Sequence, residues 1–253
     1  MAKVIKREIY SGASGLVLPV KNKLSYPPDF QDKSRLEYYS SLFNSIEINS
    51  SFYKLPMAST IAKWAACVPD YFKFTFKLWR DITHNKGLVF NPDDVLKFLE
   101  RIAPAKTNKG CLLVQFPPSL TVFAAAQLEG LLGVIKEANV RQEWKVAIEF
   151  RNKSWYEDEI FQLVEEYNST IVLHDIPASA TPLPDEVSDF VYLRFHGPNG
   201  GYRGSYPDDF LYEYAQYIND WNESGKSVYV YFNNTMGDAV HNLITLNKFM
   251  AED

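Results

Sequence analysis

Two cysteines, Cys67 and Cys111, stand far apart in 253 residues, which excludes a disulfide framework and every metal motif built on paired cysteines. They read as core residues of a reducing compartment. Histidine is scarce too: there are four, with no His-x-His and no His-Glu-x-x-His. Nowhere do eighteen apolar residues run together, and Met1 to Tyr10 carries Lys3, Lys6, Arg7 and Glu8 with no apolar core of signal-peptide length. The expectation is a cytoplasmic protein with no membrane segment. Positive charge is also missing overall, since the formal charge is -5, so the whole molecule does not attract nucleic acid or anionic lipid. Nucleic acid is not a favoured partner, and any anion site must be local. No Ser-, Gly- or charge-rich tract divides the chain, and no Gly-x-Gly-x-x-Gly turn opens it.

What is present is a large apolar fraction, 46% hydrophobic with 15% aromatic, enough for one sizeable core over residues 1–253. Short β-rich runs alternate with helix-like stretches. Strands are expected at 8–12, 45–49, 72–78, 111–116, 145–150, 170–174, 190–196 and 227–232. Helices are expected at 34–42, 59–67, 93–102, 124–137, 156–167, 208–222 and 239–250. Asn91 caps one of them, with Pro92 at its first position and two aspartates in its first turn. The stretch 176–189 is rich in Pro and Ala and reads as a loop, an irregular unit after the sixth strand. Eight strands separated by helices at this length predict a single α/β domain, a (β/α)8 TIM-barrel-like fold, with an open doubly wound sheet as the alternative.

A barrel strand turns one face to the helices and the other inward, so parity sorts its residues. Phe72, Phe74, Phe76 and Leu78 share an apolar face that must be the helix side, leaving Lys73, Thr75 and Lys77 inward. The same division turns Glu149 and Arg151 inward, then Tyr192, Arg194 and His196, then Tyr229, Tyr231 and Asn233. Glu47 and Asn49 in the second strand and Gln115 in the fourth follow suit, while His174 and Asp175 close the sixth. Barrel interiors are normally packed with bulky apolar side chains, and an unpaired buried charge costs several kcal/mol. These groups are therefore expected at the carboxyl ends of the strands, paired or open to a ligand.

The residues resemble the DUF72 (YecE-like) family of TIM-barrel proteins. The resemblance is carried by Glu47-Ile-Asn-Ser-Ser-Phe-Tyr53 with Leu55-Pro56, by Lys77 and Thr83-His84, and by Leu113-Val-Gln-Phe-Pro-Pro118. It continues through Glu149-Phe-Arg151 with Ser154-Trp155, Asp175, Tyr192-Leu-Arg-Phe-His-Gly197 and Tyr229-Val-Tyr-Phe-Asn-Asn234. The chain departs from the family pattern at Leu16, where a tryptophan follows Ser-Gly, and at Asn152, where a histidine is common. The resemblance implies the fold and a polar mouth but no reaction.

Residue chemistry supplies the functional expectation. Glu47, Glu149, His196 and His174 are the candidate proton carriers; either glutamate serves as a general base if partial burial lifts its pKa toward neutrality, while neighbouring Lys77, Arg151 and Arg194 push the other way. Asn49, Tyr53, Lys77, His84, Gln115, Arg151, Trp155, Asp175, Arg194, Arg203, Asn233 and Asn234 are candidate binding residues. They suit hydrolysis, isomerisation or a lyase reaction on a small polar or anionic compound, sugar-like or phosphorylated. The other reading is a binding barrel without turnover, holding nucleic acid fragments or a protein partner. Aromatics near the mouth, including Phe52, Tyr53, Trp79, Trp155 and Tyr202, are of the kind that stack a sugar or a base. The loop Gly197-Pro-Asn-Gly-Gly-Tyr-Arg203-Gly-Ser-Tyr206 reads either as a phosphate cradle or as a connection ahead of the next helix. No cofactor is required. A divalent metal stays an alternative, because Glu47, Glu149, His174, Asp175 and His196 are residue types that Mn, Mg or Zn accept.

Overall fold

The computed structural model describes residues 8–184 and 188–252. The signal-peptide reading of the first seven residues, part of the loop before the seventh expected strand, and the last residue lie outside them. In chain order the strands are β1 (Ile9–Ala13), β2 (Ser45–Ile48), β3 (Lys73–Lys77), β4 (Lys109–Gln115), β5 (Lys145–Glu149), β6 (Ser169–Ile171), β7 (Leu173–His174), β8 (Phe190–Phe195) and β9 (Ser227–Phe232). The helices are α1 (Arg35–Leu42), α2 (Ser50–Tyr53), α3 (Ala58–Ala66), α4 (Arg80–Thr83), α5 (Pro92–Ile102), α6 (Ala125–Ala138), α7 (Asp158–Glu166), α8 (Asp208–Glu223) and α9 (Ala239–Glu252). Local chemistry sets several boundaries. Ser34 and Glu37 form a capping box at α1, and the Asn91 side chain accepts from the Asp93 amide at α5.

All pairings are parallel, in two sheets ordered β1-β9-β8-β7 and β2-β3-β4-β5-β6. The sheets meet twice. β6 and β7 are consecutive, separated by Val172 alone, whose amide bonds Ile148 O at 2.8 Å while β7 pairs with β8. On the other side Ser14 bridges Glu47, and the Gly15 amide bonds Glu47 O at 2.8 Å. Gly12 makes this second seam possible, because a Cβ there would lie 2.0 Å from Ser45 O. The result is a TIM-barrel-like fold rather than an open doubly wound sheet. The sixth expected strand is thus two short pieces shared between the sheets. The connection after it carries no helix or strand in its described part, as its composition predicts. Two one-turn helices at the carboxyl ends of strands, α2 and α4, were not foreseen; they are too short for periodicity to reveal.

Parity sorts the core as expected. Phe72, Phe74, Phe76, Leu78, Val146, Ile148, Phe150, Val228, Val230 and Phe232 belong to the large apolar layer beneath the helices. Inside lies a separate cluster of Cys111, Leu113, Ala147, Val172, Phe190, Tyr192, Tyr229 and Tyr231. Its polar atoms find partners, as burial demands: the Tyr231 hydroxyl meets Ser45 Oγ at 2.6 Å and Thr75 Oγ1 at 2.7 Å. This packed floor positions the polar groups above it.

Candidate functional site

Arg194 on β8, 1% exposed, holds the interior together above that floor. Its Nε donates to both oxygens of Glu47 at 3.2 and 3.0 Å, and its Nη2 donates to Glu47 Oε1 at 2.7 Å. Its Nη1 donates to Glu149 Oε2 at 2.9 Å. One guanidinium from the four-stranded sheet therefore clamps two carboxylates of the five-stranded sheet, both fully buried. Ser14 Oγ and Tyr192 OH, the latter at 2.6 Å, donate the remaining bonds to Glu47. Arg151 Nε donates to the other oxygen of Glu149.

This pairing decides the two opposed effects on each glutamate in favour of the cations. Burial pushes the Glu47 carboxyl up, but the Arg194 charge and the bonds from Arg194, Ser14 and Tyr192 outweigh it and hold the group below its ordinary value. Glu149 is held well below the usual carboxylate range, since Arg151 and Arg194 together exceed the effect of burial. Neither is poised as a general base. Their oxygens are spent on arginines.

His196, fully buried, has a legible proton state. Arg194 Nη1 and Arg151 Nη2 stand 2.9 and 3.1 Å from its Nε2, and a guanidinium only donates, so Nε2 accepts and the proton resides on Nδ1. That proton faces Asp175 Oδ1 at 3.3 Å. Asp175 is anchored in turn by the His196 amide at 2.7 Å and by the Tyr206 hydroxyl. Burial lowers the imidazole pKa to about 4, with the Arg194 charge in the same direction and Asp175 opposing. His174 is a structural histidine. Its Nε2 donates to Phe150 O at 2.8 Å and its Nδ1 accepts from the Ile176 amide at 3.3 Å, so its expected role as a proton carrier finds no free nitrogen.

Lys77 ends β3 on the inner face, partly exposed, with its Nζ 4.0 Å from the centre of the Phe52 ring supplied by α2. His84, just after α4, meets the same ring edge-on at 4.8 Å. Burial lowers the Lys77 pKa most and the Arg194 charge adds to it; Glu149 and Glu47 oppose, Arg151 lowers it further, and the amine is brought to about 7. His84 is pushed down to about 4 by burial and by the charges of Lys77, Arg80 and Arg151.

Glu47, Glu149, Arg151, Asp175, Arg194 and His196 thus form one bonded cluster, which Asn49 joins by donating to Ser14 Oγ. Gln115 sits in register beside Glu149 and donates to Phe116 O. Asn233 is buried at the end of β9, its amide bonded to Phe195 O at 2.7 Å. Other expected binding residues lie elsewhere. Trp155 is fully buried on the helix side, stacked on Phe150 at 4.6 Å with its indole donating to Leu120 O, so it cannot stack a ligand. Asn234 anchors the glycine-rich loop by donating to Gly204 O and Asn242 Oδ1. Tyr53 is exposed with its ring edge against Phe52, and Arg203 is exposed on the loop. Within that loop the amides of Gly197, Gly200 and Tyr202 bond Tyr206 OH, Gly197 O and His196 O, which leaves those three unable to cradle a phosphate.

Sequence reasoning missed Ser14, Tyr192 and Tyr206 as partners of the charged groups. Inward parity marked Tyr192, but no local signal marks Ser14, which lies beyond the expected first strand, or Tyr206, which reaches Asp175 from 31 residues away. Among the described residues no group of three or more His, Cys, Asp or Glu side chains is placed to hold a metal ion. The ligand set anticipated from Glu47, Glu149, His174, Asp175 and His196 is not assembled, because arginines occupy the space between the carboxylates. No helix among the described residues is long and apolar enough to cross a membrane.

Comparisons with known proteins agree with this architecture. UPF0759 protein YunF of Bacillus subtilis (strain 168) is 26% identical over 248 residues, spanning 86% of each chain. UPF0759 protein YecE of Escherichia coli (strain K12) is 34% identical over 82 residues, 32% of this chain and 30% of its own length. The crystal structure of a DUF72 family protein from Thermotoga maritima MSB8 superposes with a TM-score of 0.79 at 25% identity, covering 98% of this chain and all of that one. One from Enterococcus faecalis V583 gives 0.77 at 23% identity, over 98% and 99%. The model of the family described as "Protein of unknown function DUF72" matches residues 10–253, and by that match, over nearly its whole length, the chain belongs to the DUF72 family.

Proposed function

We propose that this DUF72 protein is an enzyme performing acid/base chemistry on a small anionic or polar compound bound at the carboxyl-end mouth. The observation that carries the reading is the internal neutralisation of Glu47, Glu149 and Arg194. With these buried and mutually paired, the cationic side chains of the cluster left nearest the opening are Arg151, its side chain 10% exposed, and Lys77, with Asp175 also partly exposed. Glu47, Glu149 and Asp175 balance Arg151, Arg194 and a protonated Lys77, so the attraction for an anion is local to Arg151 and Lys77. An anionic group suits Arg151, whose outer edge is not consumed by Glu149 in the way the Arg194 fork is. Lys77, titrating near neutrality, replaces the glutamates as the proton carrier.

A binding barrel without turnover is the second reading, favoured by the full engagement of both glutamates. The test incubates the protein with a panel of anionic metabolites and follows their loss by mass spectrometry, beside isothermal calorimetry with glycolate. The enzyme reading expects a metabolite consumed by the natural chain and not by Lys77→Met. It also expects glycolate affinity reduced about tenfold to a hundredfold in Arg151→Met, the worth of one or two charge-assisted bonds. Binding without consumption supports the second reading; neither result supports either.

A further inference from the structure

We propose that Lys77 is a nucleophile, adding its ε-amine to the carbonyl carbon of a small aldehyde or ketone that carries a carboxylate or phosphate, and holding it as an imine above Phe52. The inference rests on the ligand class proposed above and assigns it a covalent step. Three features of the mouth carry it. First, the carboxylates that would ordinarily keep a lysine protonated are engaged elsewhere: Glu47 by Arg194, Ser14 and Tyr192, Glu149 by Arg194 and Arg151. Among the described residues, no ion pair within 4.0 Å involves Lys77. Second, the charges of Arg194 on β8 and Arg151 just past β5 disfavour a protonated Lys77, and His84 meets the same Phe52 ring edge-on. A neighbouring cation and an apolar surface are the two devices that release a free amine at neutral pH. Third, the amine lies over an aromatic ring on a residue that is partly exposed, the side from which a carbonyl would approach.

The step balances without an added reagent. The nitrogen lone pair forms the C–N bond as the carbonyl π pair moves onto oxygen. Proton exchange with water at the open side turns the adduct into a carbinolamine. Loss of its hydroxyl with one proton, as water, leaves the imine, and no atom is oxidised or reduced. The anionic group of the same molecule pairs with Arg151.

Glyoxylate and dihydroxyacetone phosphate serve as probes, one carrying a carboxylate and the other a phosphate. Each is incubated with the full chain and cyanoborohydride, and adducts are mapped by peptide mass spectrometry over the 18 lysines. Lys77 is expected to be reduced onto a probe at least about tenfold faster than the other lysines at pH 7, because an ordinary lysine is almost wholly protonated there. The rate should fall with a midpoint near pH 7 as the solution is acidified. The faster probe identifies the anionic group. Labelling of Lys77 no faster than that of surface lysines with both probes overturns the proposal. Glycolate, which lacks the carbonyl, separates the two failures. If it binds in an Arg151-dependent manner while Lys77 stays unlabelled, the covalent step alone falls; if it does not bind, the ligand class falls as well.

Discussion

Replacing Arg194 by methionine removes the one cation that Glu47 touches among the described residues, while keeping a side chain of similar reach. Glu149 retains Arg151, so the substitution strands one buried carboxylate rather than two. Breaking a buried pair from one side costs about 3–5 kcal/mol, because the remaining charge has lost its partner and has no water. For a chain of this length about 2 °C of melting temperature corresponds to each kcal/mol, so the loss should be roughly 6–10 °C at pH 8. The pH dependence has a definite sign. In the natural chain Glu47 titrates below its unfolded value, so its stabilisation is complete above the unfolded pKa and is lost only as pH falls through the folded one. In the variant the bonds from Ser14 and Tyr192 remain but the cation is gone, so burial prevails and raises the folded pKa, and stability is lost as pH rises through it. The gap between the two proteins should therefore narrow from pH 8 to pH 5. Thermal unfolding followed by circular dichroism measures both. Adding Glu47→Gln to the variant should recover part of the loss, and this double variant serves where the single one does not fold. A shift below about 2 °C at pH 8, or a gap that does not close in acid, would refute the assignment of Arg194 as the clamp.

Two further outcomes test the frame around the site. Gly12→Ala should destabilise the protein by about 3 kcal/mol or more in urea unfolding, because its Cβ meets the backbone oxygen of Ser45 and forces β1 and β2 apart. Gly133→Ala in α6, where nothing lies within 4 Å, should instead stabilise by about 0.5–1 kcal/mol, and equal losses at both positions would contradict the seam. Trp155→Phe should cost about 1–3 kcal/mol by orphaning Leu120 O. It should leave glycolate binding unchanged, whereas loss of binding would return Trp155 to the mouth.

Alternation along single strands determined a good deal. Phe72, Phe74, Phe76 and Leu78 cannot face a polar interior, so Lys77 had to face inward; the same reasoning turned Glu149, Arg194 and His196 to the common axis. These are properties of neighbours two residues apart, and the backbone pleat converts them into direction without reference to the rest of the chain. Only the tertiary arrangement decided what those groups do to one another. Glu47 and Glu149 are 102 positions apart and share Arg194, which no local pattern records. Glu47 moves down because Arg194 with Ser14 and Tyr192 outweighs burial, and Glu149 because Arg151 and Arg194 together do, while burial foremost, with Arg194 adding to it, moves Lys77 toward neutrality. Charge interactions depend on distance through space, and here the distances are set by two seams, at Gly12 to Ser14 and at Val172, that bring strands remote in sequence into contact.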